Sequence, residues 1–173
     1  RVTGLTTGDL NADGLIDIVL GASSAPNAAL HLLINQGQGR FARVEVPIQT
    51  TITGTSDLFP SFADIDHDGL LDLMFTGPTL ASGATRLEIL MNRRTHFSAT
   101  EPLQFIFTGG SIVKGFADYN NDKFDDIVLH VNATMLLYLN QRNGTFASVP
   151  LVRDLPELNM YLTDIIDLDN DGL

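Results

Sequence analysis

Apolar residues in this chain come in short runs, and none holds the 3.6-residue period of an amphipathic helix over three turns. "DIVLGA" (17–22), "DLMFTG" (72–77) and "DIVLHV" (126–131) are brief apolar stretches bounded by turn-formers, and each reads as a strand. Each is followed by a second run, "ALHLLIN", "RLEILMN" or "TMLLYLN", and then by a third, "RFARVEV", "HFSATEPL" or "TFASVPL". The pattern predicts an all-β chain.

The strands recur in register with two other features. An acidic pattern appears as "DLNADGLID" from Asp9, "DIDHDGLLD" from Asp64, "DYNNDKFDD" from Asp118 and "DLDNDGL" from Asp167, with starts 55, 54 and 49 residues apart. A second marker places Asn, then turn-formers or polar residues, then Phe: "NQGQGRF", "NRRTHF" and "NQRNGTF". Two markers in phase define a repeat of about fifty residues. Each unit then reads as four strands: one entering the acidic loop, one leaving it, a third, and a fourth after the Asn to Phe turn. A four-stranded sheet of this size cannot bury both faces alone, so neighbouring units must stack on it. The expectation is a β-propeller of four-stranded antiparallel blades, about three plus the start of a fourth, spanning approximately residues 1–50, 51–105, 106–155 and 156–173. Phe41, Phe97 and Phe146 recur with the blade and are expected in the core.

Alternate residues of the acidic loop face inward, which gathers oxygens from positions 1, 3, 5 and 9 and a main-chain carbonyl from position 7, while Gly at position 6 supplies the positive φ that folds the loop back. The candidate ligands are Asp9, Asn11, Asp13, Leu15 and Asp17 in the first copy, and Asp64, Asp66, Asp68, Leu70 and Asp72 in the second. The third offers Asp118, Asn120, Asp122, Phe124 and Asp126, and the fourth Asp167, Asp169 and Asp171. Two carboxylates about 5 Å apart repel by roughly 3 kcal/mol at an effective dielectric near 20. A cation therefore makes the cluster tolerable. Hard oxygen donors without His or Cys select Ca²⁺ over Mg²⁺, which prefers few protein ligands and several waters. Position 12 is Leu20, Phe75 or Leu129 rather than the Glu of an EF-hand, and a strand follows instead of a helix. Asx turns use the same residue types, but three full copies in phase argue for metal. The third site is expected to be the weakest, because Lys123 stands where Gly is needed and left-handed geometry costs a non-Gly residue about 1–2 kcal/mol. The fourth is expected to be incomplete.

Composition narrows the function. The net charge of −11 argues against nucleic acid as a partner. Most of the acids lie in the four loops, and outside them the chain is slightly basic. No Cys is present, which excludes a disulfide framework and thiolate metal sites. No apolar run is long enough for a membrane-spanning helix, so no membrane contact by this segment itself is expected. Asn132 and Asn143 open glycosylation sequons. The start at Arg1 and the stop within "DNDGL" suggest a part of a longer polypeptide.

The acidic loop followed by "DIVLG" and "DLMFTGP" resembles the FG-GAP repeats, also called VCBS repeats, of the integrin α-subunit propeller and its relatives. The likeness covers nearly the whole chain and is closer to the T-cell immunomodulatory protein type than to a true integrin. "GASSAP" and "FTGP" only approximate the second half of the motif that names the family. The resemblance implies Ca²⁺ in the loop between the first two strands of each blade and closure with about seven blades.

Blade topology puts the acidic loops and the Asn to Phe turns on one face. The other face is built from "GASSAPNAA", "TGPTLASGAT", "PIQTTITGTSD" and "PLVRDLPELN", which are longer and more varied. A protein partner is expected there. The same repeat occurs in lectins and some polysaccharide lyases, so carbohydrate is the alternative partner. Sugar platforms use exposed aromatics, yet Trp is absent, and Tyr119 and Tyr138 are expected to pack in a loop or core. His31, His67, His96 and His130 are scattered, and neither Glu88 nor Asp154 pairs as a catalytic dyad would. The chain reads as a non-enzymatic, calcium-stabilised recognition module. Short exposed loops suit the millimolar Ca²⁺ of the extracellular space or secretory lumen, and the chain could belong to the ectodomain of a membrane protein.

Overall fold

The computed structural model describes residues 1–23, 29–45, 58–78, 84–94, 97, 103–108, 111–131 and 134–152. Among these residues every regular element is a β-strand. The first sheet contains β1 (Val2–Gly8), β2 (Asp17–Ala22), β3 (Ala29–Asn35) and β4 (Phe41–Glu45). In the second are β5 (Phe59–Ala63), β6 (Asp72–Pro78), β7 (Ala84–Leu90) and β8 (Leu103–Thr108), and in the third β9 (Ser111–Ala117), β10 (Asp126–Val131), β11 (Thr134–Asn140) and β12 (Phe146–Val152). Each is an antiparallel meander in chain order. The chain is a partial β-propeller. The segments 24–28, 46–57, 79–83 and 153–173, which carry most of the expected partner face and the whole fourth acidic pattern, lie outside the described residues.

Stacking of the sheets explains why their middle strands are so apolar. Leu10, Val19, Leu30 and Leu32 of the first blade pack against Leu58, Leu73, Phe75, Leu90 and Phe97 of the second. From the other side of the second sheet, Met74, Leu87 and Ile89 meet Ile127 and Leu129 of the third. With both faces covered, β6 and β7 cannot alternate apolar with polar, and "DLMF" and "LEIL" are the result. Burying a Leu, Ile or Phe side chain is worth about 1.5–3 kcal/mol, so these two seams supply much of the driving force for stacking.

The first two blades come closest beside Leu58. Thr3 Oγ1 donates to the Leu58 carbonyl at 2.9 Å and accepts from its N–H at 3.1 Å. A β-carbon on Gly21 would stand 2.1 Å from that same carbonyl oxygen. Gly is required there by proximity.

The expectation that all three marker Phe residues are core fails at Phe41. Phe97 lies in the seam between the first and second blades and Phe146 packs into the seam between the second and third. Phe41 is 42% exposed because, by the same phase, it faces away from the second blade. Tyr138 packs edge-on to Phe105, as the sequence suggested. Tyr119, expected to pack, leaves half of its surface exposed.

Candidate metal centre

Each of the three described acidic loops joins the first two strands of its blade and has the same main-chain frame. The first-position Asp caps two amides: Asp9 accepts from Asp13 and Gly14 N–H at 3.1 and 2.8 Å, and Asp64 from Asp68 and Gly69 at 3.0 and 2.9 Å. Asp118 does the same for Asp122 and Lys123. The fifth-position Asp then accepts from the amide of position 7, at Leu15, Leu70 and Phe124. Position 6 has a positive φ in all three copies: Gly14 at 84°, Gly69 at 83° and, despite its Cβ, Lys123 at 75°. Position 4 is left-handed as well, at Ala12, His67 and Asn121, a requirement that no single residue type announced in the sequence.

The ninth-position Asp is fully buried in all three described copies and joins the two markers of the repeat. Asp17 accepts from Leu10 N–H at 3.0 Å and Asn35 N–H at 2.8 Å. Asp72 accepts from Ile65 at 2.9 Å and Asn92 at 2.7 Å, and Asp126 from Tyr119 at 3.1 Å and Asn140 at 2.7 Å. The marker Asn is itself fully used. Asn92 Nδ2 donates to Leu71 O at 3.0 Å and, across the seam, to Leu10 O at 2.7 Å, while its Oδ1 accepts from Arg94 N–H. Asn140 repeats this with Asp125 O, Ile65 O and Arg142 N–H. Sequence reasoning had found these Asn residues only as turn markers.

The copies differ where ligands would converge. Among the described residues, only the second loop brings three acidic groups together: one oxygen from each of Asp64, Asp66 and Asp72 lies within 4.8 Å of the others. Asp66 Oδ1 is buried there without a hydrogen-bond partner. Burial, with the Asp66 and Asp68 charges adding to it, pushes the Asp72 carboxyl up to about 7 against the opposing amides of Asn92 and Ile65. An oxygen-only donor set, an orphaned buried oxygen and a carboxyl resisting ionisation fit a hard divalent cation. Asp68 stands apart from this triad, with Oδ1 on Leu70 N–H. In the first loop, Asn11 accepts from Asp13 N–H and donates Nδ2 to Asp13 Oδ2 at 2.9 Å. In the third, Phe124 is half-buried beneath the Arg142 guanidinium, with the His67 ring 5.5 Å away. Asp167, Asp169 and Asp171 lie outside the described residues.

Stacked four-stranded blades, each carrying an aspartate loop locked to the following hairpin, define a repeat β-propeller of the acidic-loop class. The FG-GAP-like repeat family matches residues 9–75 and 118–173, and the chain belongs to it. No curated protein sequence matches the chain.

Proposed function

We propose that this FG-GAP-repeat chain is a calcium-stabilised scaffold for extracellular or luminal recognition. It binds a protein partner on the face opposite the acidic loops and catalyses nothing itself. The observation that carries the proposal is the second loop, where three carboxylates converge around an oxygen that has no partner. Such a loop gains most from the millimolar Ca²⁺ found outside cells. Antiparallel pairing sends the β1–β2 and β3–β4 turns to one end of each blade and the β2–β3 connection to the other, leaving that second face unconstrained by metal.

Isothermal titration with Ca²⁺, alongside thermal unfolding with and without chelator, tests the scaffold role. Asp66→Ala should abolish the calcium-dependent part of the melting temperature and weaken partner binding only indirectly. A melting temperature indifferent to chelator counts against the proposal. A carbohydrate partner is the second reading, favoured by the half-exposed Tyr119 within the third loop. A glycan array run beside a protein pull-down separates the two.

A further inference from the structure

Two of the three loops hold a cation that the repeat pattern does not specify. Arg93, immediately after the marker Asn92, places Nη1 2.8 Å from Asp66 Oδ2 and 3.5 Å from Asp68 Oδ2. Arg142, two residues after Asn140, reaches Asp122 Oδ2 with Nε at 3.1 Å and Nη2 at 3.0 Å. Among the described residues, no Lys or Arg makes such a contact with the carboxylates of the first loop. Its turn reads Asn35-Gln36-Gly37-Gln38-Gly39-Arg40, and Arg40 donates to Gln38 instead.

We infer that Arg93 is a resident counter-cation of the second acidic loop, holding the loop together in the absence of metal and lowering its affinity for a divalent ion. The inference rests on the calcium reading above. Asp66 is divided between two claims: Oδ2 is taken by the guanidinium, while Oδ1 is buried among the converging carboxylates with no partner. An ion bound by Oδ1 therefore meets Arg93 across one carboxylate. At about 6 Å in a water-like dielectric, a single and a double positive charge repel enough to weaken binding about tenfold, less as salt screens them. Without the ion, the same guanidinium offsets the mutual repulsion of Asp66 and Asp68. Its planar, permanently charged fork suits two neighbouring carboxylates. The loops are thereby graded: the second and third carry part of their neutralisation within the chain, and the first has no such cation among the described residues.

The test uses the whole chain as wild type, Arg93→Gln and Arg93→Lys. Calcium titration is followed through the amide resonances of Gly69, which reports the second loop, and Gly14, which reports the first; melting is measured in chelator. Arg93→Gln should move the Gly69 midpoint to about tenfold lower calcium, leave Gly14 unmoved, and melt lower than wild type in chelator. Arg93→Lys should stay near wild type in both. A Gly69 midpoint unchanged or displaced to higher calcium overturns the inference, and the latter outcome makes Arg93 a residue that orients Asp66 for the ion. If calcium moves neither resonance in wild type, the calcium reading fails. The counter-cation role is still judged by melting in chelator, where an unchanged Arg93→Gln overturns it.

Discussion

The side-chain amide of Asn92 donates to the main-chain carbonyl of Leu10 at 2.7 Å, across 82 positions of chain and the seam between two blades. The Asn92 main-chain N–H is held at the same time by Asp72 Oδ1 at 2.7 Å. The aspartate that closes one acidic loop thus positions the residue that grips the preceding one, and acidic loop and blade stacking become a single mechanical unit.

Asn92→Ala should destabilise the fold by about 2–4 kcal/mol, because it leaves the Leu10 and Leu71 carbonyls buried without a donor. Asn35→Ala should cost less, since Asn35 Nδ2 donates to Ile16 O within its own blade and makes no described bond across a seam. Urea unfolding of the two variants gives the comparison directly, and equal losses would refute the inter-blade role.

Gly21→Ala should destabilise by about 1–3 kcal/mol through overpacking. The new methyl would fall on the Leu58 carbonyl oxygen, which is main chain and cannot rotate away. Gly14→Ala is the informative control: open space surrounds its Cβ position, so its cost, about 1–2 kcal/mol, comes only from a φ of 84°. Melting curves of both, recorded in chelator, separate crowding from backbone strain.

The repeat was legible because every copy shares it. Aspartates at alternate positions, Gly14 and Gly69 at the bend, and the Asn to Phe turn all serve the frame of a blade, so they recur in phase and stand out from one sequence. What remained hidden was specific to one copy or made between copies. Asn92 and Asn140 reveal their acceptors only when blades are stacked, because Leu10 and Ile65 are remote in sequence and contribute only main-chain carbonyls. Arg93 and Arg142 occupy different offsets from their Asn, so no period marks them. Phe41 kept the core pattern of its copies yet is exposed, since burial depends on which side of a blade has a neighbour.

Lys123→Gly should stabilise the third loop by up to about 1 kcal/mol, the relief of left-handed strain at φ 75° exceeding the extra chain entropy of glycine. It also removes a positive charge from the loop. Calcium affinity there should rise, and a resonance titration of the Phe124 amide would follow it; a weaker third site in Lys123→Gly contradicts the strain account.

A pH effect is expected at Glu88. Burial in the second sheet raises its carboxyl above the usual range, and the charge of Arg86, with Nη2 2.5 Å from Oε2, opposes this only in part. A raised folded value favours the protonated form, so the contribution is complete below the unfolded value and lost as pH rises through the folded one. Relative to Glu88→Gln, wild-type stability should therefore fall as pH climbs from about 4 toward neutrality. Urea midpoints of both chains across that range check the sign, and a wild type that gains on the variant with rising pH would contradict it.

The grip of Asn92 on Leu10 and of Asn140 on Ile65 runs in one direction, each later blade reaching back to an earlier one. During synthesis the receiving carbonyl has therefore already left the ribosome when its donor emerges. Assembly can proceed vectorially, each newborn hairpin latching onto a finished neighbour instead of waiting for one still to be made.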